Sequence, residues 1–179
     1  TARTLSRLRS GARDLMRNNP HARRALDSIV ANTIGTGISV QFVRDGEPAA
    51  EIEALAKRHL ETTECDAEGR HNFRGLQSLA FRSVVEGGEV LVRRRWRRAS
   101  DGLAVPVQFQ LLEPEYLDDS KDGPTTGGGR IIQGVEYDAI GRRRAYWLYP
   151  EHPGSSTLRS LRSEPVPARD IAHVYREDR

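Results

Sequence analysis

The hydrophobic period of the sequence changes at Gly87-Gly88, and this change limits the chain to folds that separate helices from strands. Before this point, apolar residues recur every three or four positions, which is typical of amphipathic helices. After it, apolar and polar residues alternate, which is typical of strands. This order predicts an α+β fold in which N-terminal helices precede mostly antiparallel β hairpins. We expect 1–179 to form a single region, with 1–87 mainly helical and 88–179 mainly β.

Proline, asparagine and glycine mark the expected ends of the helices. Asn19-Pro20 predicts the end of a first helix and the capped start of a second. A third helix follows, and Asn72 is the expected cap of a fourth helix that ends at Gly87-Gly88. Between the second and third helices, alternating apolar residues over 38–42 predict a short strand.

The β half of the sequence predicts two hairpins and a final strand. The first hairpin joins 90–96 to 105–109, and the second joins 131–137 to 142–149. The final strand covers Ile171–Tyr175. Because tight turns connect these strands, we expect antiparallel pairing.

Residues with catalytic or metal-binding chemistry do not form a recognisable motif. His59, Cys65 and His71 are spaced with five residues between neighbours, which matches no tight metal-binding pattern. The glycine run at 127–129 lacks the spacing of a phosphate-binding loop. We therefore expect neither an enzyme nor a cofactor. No apolar stretch approaches the 18 residues of a membrane span, so we expect no membrane partner.

One strand is strongly basic, and we call 93–98 the arginine strand. It lies within the sequence EGGEVLVRRRWRR, and its candidate contact residues are Arg93, Arg95, Trp96, Arg97 and Arg98. Alternation places three arginines on one face and the tryptophan on the other. Arginine and tryptophan suit nucleic acid, through phosphate contacts and base stacking. The interpretation we favour is an exposed strand whose charges prevent edge pairing or meet acidic groups of a neighbouring chain.

Two other charged groups belong to the same question. A basic face on the first helix is formed by Arg3, Arg7, Arg13 and Arg17. We call 113–122 the acidic segment, and its candidate contact residues are Glu113, Glu115, Asp118 and Asp119. The formal net charge of the whole chain is only +3, so the distribution of charge is more informative than its total.

Five stretches of the chain, in order, resemble the lambda-type phage portal proteins. They are ARDLMRNNPHARRALDSIVANTIGTGISVQ, CDAEGRHNFRGLQSLAFRSVVEGGEVLVRRR, VQFQLLEPEYLD, RIIQGVEYDAIGRRRAYWLYPEHPG and VPARDIAHVYREDR. The resemblance covers nearly the whole chain. One departure is the expected helix over 51–60, which lacks the tryptophan found in many relatives.

The resemblance implies a structural subunit of a ring, commonly a dodecamer, at one vertex of a phage capsid. Such rings contact capsid protein, dock the terminase, pass double-stranded DNA and join the tail through an adaptor. They are assembled in the bacterial host cytoplasm and become part of the virion. The chain corresponds to the N-terminal, wing-side part of such a subunit. Since it begins at Thr1 and stops after a strand-like run, we expect a fragment of a longer chain.

The alternative function is a non-enzymatic nucleic-acid-binding module that uses the arginine clusters. Its expected signature is an affinity that falls steeply with salt concentration, because phosphate contacts release counterions.

Overall fold

A computed structural model describes residues 2–44, 47–154 and 162–176, and its four α-helices precede most of the strands. The helices are α1 (Ala2–Asn18), α2 (Pro20–Ile34), α3 (Ala50–Glu61) and α4 (Phe73–Gly87). Two short strands, β1 (Val43–Arg44) and β2 (Glu47–Pro48), pair with each other between α2 and α3. The remaining described strands are β3 (Glu89–Trp96), β4 (Val107–Leu112), β5 (Gly123–Pro124), β6 (Arg130–Ile132), β7 (Val135–Tyr137), β8 (Arg143–Leu148), β9 (Glu164–Pro167) and β10 (Ile171–Tyr175).

The predicted helix ends are confirmed by their capping contacts. The Asn19 side chain accepts hydrogen bonds from the first backbone amides of α2, where Pro20 occupies the first turn. The Asn72 side chain accepts from the Gly75 amide at the start of α4. Gly88 ends α4 in the left-handed conformation, with φ of 87°, and donates its amide to the Val84 carbonyl.

The predicted strand over 38–42 is wrong, because a helix side chain occupies the backbone groups that a strand would offer. Gln77 of α4 accepts from the Ile38 amide at 2.7 Å and donates to the Ile38 carbonyl at 3.1 Å. Pairing between strands starts only at Val43. This segment therefore packs along α4 as irregular chain.

The strands form two antiparallel sheets besides the β1–β2 pair. The three-stranded sheet has the order β10-β3-β4, so the arginine-bearing strand β3 is central and paired on both sides. The five-stranded sheet is a meander from β5 to β9 in sequence order. The α+β fold is thus confirmed, with the first predicted hairpin at β3–β4 and the predicted final strand at β10.

The second predicted hairpin is wrong in one respect, because 131–137 is two strands and not one. Gln133 and Gly134 both have positive φ, 47° and 80°, and reverse the chain between β6 and β7. A side chain at position 134 would lie 2.6 Å from the Asp118 carbonyl oxygen. Glycine is therefore required at this turn.

The main core lies between the two sheets, and a smaller apolar contact joins the helices. The sheet core consists of Leu91, Leu112, Val135, Tyr146, Leu148, Val166 and Ile171. On the other face of β3, Val90 is also buried, where α4 packs against the strand. Leu26 and Val30 of α2 and Leu76 of α4 are buried on the helical side.

A polar network holds α1 against the sheet. Arg9 of α1 donates to the Glu89 carboxylate and, at 3.2 Å, to the Gly87 carbonyl. The same carboxylate lies 2.6 Å from Nε2 of His173, whose ring packs edge-on against Tyr146. Burial by itself would raise the pKa of Glu89, but the hydrogen bond from His173 and the charge of Arg9 lower it below its usual value.

We predict that Glu89→Gln lowers the free energy of unfolding at pH 7 by about 1–3 kcal/mol, since the partly buried Arg9 and His173 lose a charged acceptor. A carboxyl whose pKa is lowered by folding stabilises the protein above its unfolded pKa, which is about 4.3 for glutamate, and that contribution disappears as the pH falls through the folded pKa. The difference between wild type and variant should therefore shrink below about pH 4. Urea unfolding followed by circular dichroism over a pH series measures this.

The matched control is Glu68→Gln, because Glu68 is half exposed and lies 3.6 Å from Arg70. We expect it to change stability by less than about 0.5 kcal/mol. Equal losses in the two variants, or a gap that widens in acid, would contradict the assigned role of Glu89.

Candidate interaction surface

The arginine strand forms the end of the β3–β4 hairpin farthest from α4. Trp96 pairs with Val107 at this end, whereas Leu91 pairs with Leu112 at the other. Arg95 donates to Gln110 at 3.1 Å and Arg97 donates to Gln108 at 2.6 Å, both across to β4. Arg94 and Trp96 instead contact Asp170, beside β10. The side chains thus alternate between two faces, as the sequence predicts.

Most of the charge on this strand is not neutralised by the residues that the structure describes. Among the described residues, Arg94 is the one member of 93–98 in an ion pair, with Asp170 at 3.1 Å. Burial, and then the neighbouring charge of Arg95, lower the pKa of Arg93. Glutamine amides provide hydrogen bonds to Arg95 and Arg97 but no compensating charge. This end of the hairpin can therefore attract an anionic group from outside the chain.

Trp96 is exposed but held in one place. Its side chain is 63% exposed, yet the indole Nε1 donates to Asp170 Oδ1 at 3.1 Å. The Arg94 guanidinium lies 4.6 Å from the centre of the ring and covers one face. Arg98 lies just beyond the tryptophan, where its amide donates to Asp101 in the turn. The strand end therefore combines a fixed aromatic ring with several arginines.

The basic face predicted on α1 divides into bound and exposed arginines. Arg13 contacts the acidic segment of its own chain, at 2.7 Å from Glu115 and 3.0 Å from Glu113. Arg7 and Arg17 are exposed. The side chain of Arg3 lies outside the described residues. Arg9, which the sequence did not single out, makes the contact with Glu89, and its partner is 80 positions away in the chain.

The acidic segment lies at the opposite end of the hairpin from the arginine strand. Glu113 and Glu115 face Arg13, and burial is outweighed by the hydrogen bond and charge of Arg13, so that the pKa of Glu115 is lowered. Asp118 is only 6% exposed and accepts from Ser120 and Ser163 at 2.6 and 2.5 Å. Asp118 therefore binds within its own chain, whereas Asp119 is exposed.

The side chains that could bind a metal together are not the ones that the sequence spacing singled out. In the part of the chain that the structure describes, the ligand atoms of Glu113, Glu115 and His152 converge, and those of the trio containing His59 and Cys65 do not. Arg13 already binds both of these glutamates. Cys65 is fully buried, and its Sγ lies near backbone carbonyls. The arrangement offers no nucleophile paired with a base among these residues.

The chain is similar to known proteins along its full length. The model of a family described as phage portal protein, lambda family, matches residues 1–179. A protein named "Probable portal protein" from Halomonas phage phiHAP-1 is 30% identical, over 94% of this chain and 34% of the relative. The chain thus spans about a third of the length of this curated relative. Within the described ranges, no helix is long and apolar enough to cross a membrane.

We predict that Cys65 resists alkylation in the folded protein. Burial raises the pKa of the Cys65 thiol to about 11, so the reactive thiolate is scarce at pH 8. Iodoacetamide labelling followed by mass spectrometry should modify this cysteine at least about tenfold more slowly in buffer than in 6 M guanidinium, given the dependence of rate on thiolate. Comparable rates in the two conditions would contradict the buried position of the thiol.

Proposed function

The chain belongs to the lambda family of phage portal proteins, a structural family, and we propose that it forms part of a subunit of the portal ring at one vertex of the capsid. We assign it to the N-terminal, wing-side part of the subunit, and we take the ring to be a dodecamer. Capsid protein is the expected neighbour outside the ring. The terminase, tail and adaptor contacts are assigned to other regions of the portal protein.

We also propose that the ring acts in DNA packaging, DNA ejection and tail joining. Double-stranded DNA enters the capsid through the ring during packaging and leaves through it on ejection, and the tail joins at the same vertex. The ring is assembled in the host cytoplasm and remains in the virion. We assign no catalytic step to this chain, in keeping with the structural family to which it belongs.

The observation that supports a ring most strongly is the separation of charge along the β3–β4 hairpin. The Leu91–Leu112 pair lies beside the acidic segment, and the Trp96–Val107 pair lies at the arginine end. Five residues of strand separate them, which corresponds to roughly 17 Å. The arginine strand therefore cannot neutralise the acidic segment of its own chain.

A second copy can supply the missing contact. Asp119 is exposed in the acidic segment and remains available although Arg13 binds Glu113 and Glu115. Asp122 is also exposed, but its Oδ1 accepts the Gln133 amide at 3.0 Å in the β6–β7 turn. A contact between the basic end of one copy and the acidic end of the next is head-to-tail. Contacts of this type close into rings when the rotation between copies allows it.

Direct DNA binding by the arginine strand is the second candidate, and one observation favours it. Arg93, Arg95, Arg97 and Arg98 have no carboxylate partner among the described residues, and Trp96 is exposed beside them. Phosphates could neutralise these arginines as well as aspartates could. The two candidates differ in what charge reversal does to assembly.

We predict that Arg97→Glu combined with Arg98→Glu reduces ring formation by the intact portal protein, because like charges then face each other between copies. Adding Asp119→Arg to the same chain should restore rings in part, since the two reversed ends attract again. Mass photometry at moderate salt counts the rings. The matched control is Arg142→Glu on an exposed turn, which should leave assembly unchanged.

DNA binding measured on the same proteins decides between the two candidates. If the Arg97 and Arg98 reversal leaves ring assembly intact and abolishes salt-sensitive DNA binding, the arginine strand contacts DNA and the proposed subunit contact is wrong.

A further inference from the structure

The geometry points to Trp96 as the anchor residue of the contact between copies, inserted into a cleft of the next subunit, with Asp170 as the residue that positions its indole. This inference rests on the proposed ring function and adds the partner surface to it. It assigns a specific role to the two ends of β3, whose first residue lines the cleft and whose last residue is the anchor.

Trp96 has the properties of an interface anchor before any partner binds. One Asp170 oxygen, Oδ1, accepts from both the indole and Arg94 at 3.1 Å, and Arg94 also donates to the Arg169 carbonyl at 3.1 Å. The Asp170 side chain is only 14% exposed, so it is itself held in place. A side chain fixed in advance loses little conformational entropy on binding. Tryptophan and arginine are also the residues most often found at the energetic centre of protein interfaces.

The position of Asp170 limits how a partner can approach Trp96. Its carboxylate contacts the indole edge and neutralises Arg94, the cation stacked on one face of the ring. The arginines beyond the ring attract phosphates and carboxylates alike, so charge alone does not select between them. A protein partner fits because a surface depression can accept the open face of the ring while carboxylates at its rim meet Arg97 and Arg98.

A cleft with both apolar and charged lining residues lies at the acidic end of the same chain. It has a volume of about 220 Å³ and is lined by Leu117, Ile132 and Val135 together with the exposed carboxylate of Asp119. Ile132 is 40% exposed at the β6–β7 turn. This volume is below the roughly 300–1,000 Å³ of small-molecule pockets and is on the scale of one large side chain.

The cleft also contains charged groups. Arg9 is paired with Glu89, whereas Arg143 donates to the neutral Tyr175 hydroxyl at 2.5 Å. The Arg143 guanidinium can pack on an inserted indole as a cation on an aromatic face. The cleft therefore provides aliphatic and cationic contacts for the ring.

A chain cannot place its own tryptophan in its own cleft. Glu89 lines the cleft and is the first residue of β3, whereas Trp96 is the last. Seven residues of extended strand separate them, which corresponds to roughly 23 Å. Trp96 can therefore fill such a cleft only in another molecule, and a second copy presents the fixed indole together with arginines that complement Asp119. Repetition of this contact is head-to-tail.

Disulfide trapping tests the contact in the intact portal protein. Trp96→Cys and Ile132→Cys are introduced together and singly, and Cys65 is retained because it is buried. Loss of the indole itself should weaken assembly about tenfold, so oxidation is done at a protein concentration well above that raised threshold. The double variant should then give a ladder of covalently linked subunits on a denaturing gel, and each single variant should stay monomeric. Linked dimers from Trp96→Cys alone would indicate a symmetric contact and overturn the inference.

Asp170→Ala changes ring assembly in opposite directions for a purely electrostatic contact and for a contact anchored by Trp96. If the contact is only an attraction between the arginine strand and an anion, removing a carboxylate from the basic end strengthens assembly. If Asp170 positions Trp96, its removal should raise the concentration for half-maximal ring assembly about tenfold, as should Trp96→Ala. Asp101→Asn is the matched control, since it removes a charge near the same arginines and keeps an acceptor for the Arg98 amide.

The results separate the inference from the proposed function on which it rests. If the wild type forms rings but the double variant gives no ladder, the Trp96 contact is wrong and the ring function stands. The same holds if Asp170→Ala assembles like the wild type and has the same melting temperature. An intact wild-type protein that forms no rings at all would overturn both.

Discussion

The arrangement of helices and sheet depends on the Glu89 carboxylate at the first position of β3. It binds Arg9 of α1 and His173 of β10, so three elements that are far apart in sequence meet at one buried anion. Partly buried charges of this kind are favourable only when their partners are in place. The site therefore fixes α1 on the sheet, and Arg13 of the same helix then reaches Glu113 and Glu115.

From this fixed end, β3 determines how the charges of the chain are distributed. The strand pairs with β10 over 89–93 and with β4 over 91–96, so it is extended over its eight residues and cannot fold back. Val90 and Leu91, close to α4, belong to the core. The last residues of the strand carry the arginines and Trp96. The rigid strand keeps the basic end apart from the acidic segment. A subunit with complementary ends that cannot meet internally is suited to repeated association with identical copies.

The sequence was sufficient where structure is determined locally. The Asn19 and Asn72 caps and the Gly88 helix end depend on neighbours within a few positions, and β3 follows directly from its alternation. The sequence was insufficient where a side chain far away in the chain determines the local conformation. Gln77 removes the predicted strand at 38–42, and Gln133 adopts a positive φ that glutamine rarely has, so its turn gave no signal. Asp118 looked like part of an acidic surface, but Ser163, 45 positions away, binds it in the interior.

Electron cryo-microscopy of the assembled portal protein is the decisive test of the head-to-tail contact, because it shows what each end of β3 contacts. We expect a ring in which Trp96 and the arginines beside it lie against the β6–β7 turn and the acidic segment of the adjacent subunit. A ring whose Trp96 and arginines point into the DNA channel, without contact to a neighbouring subunit, would rule the head-to-tail contact out.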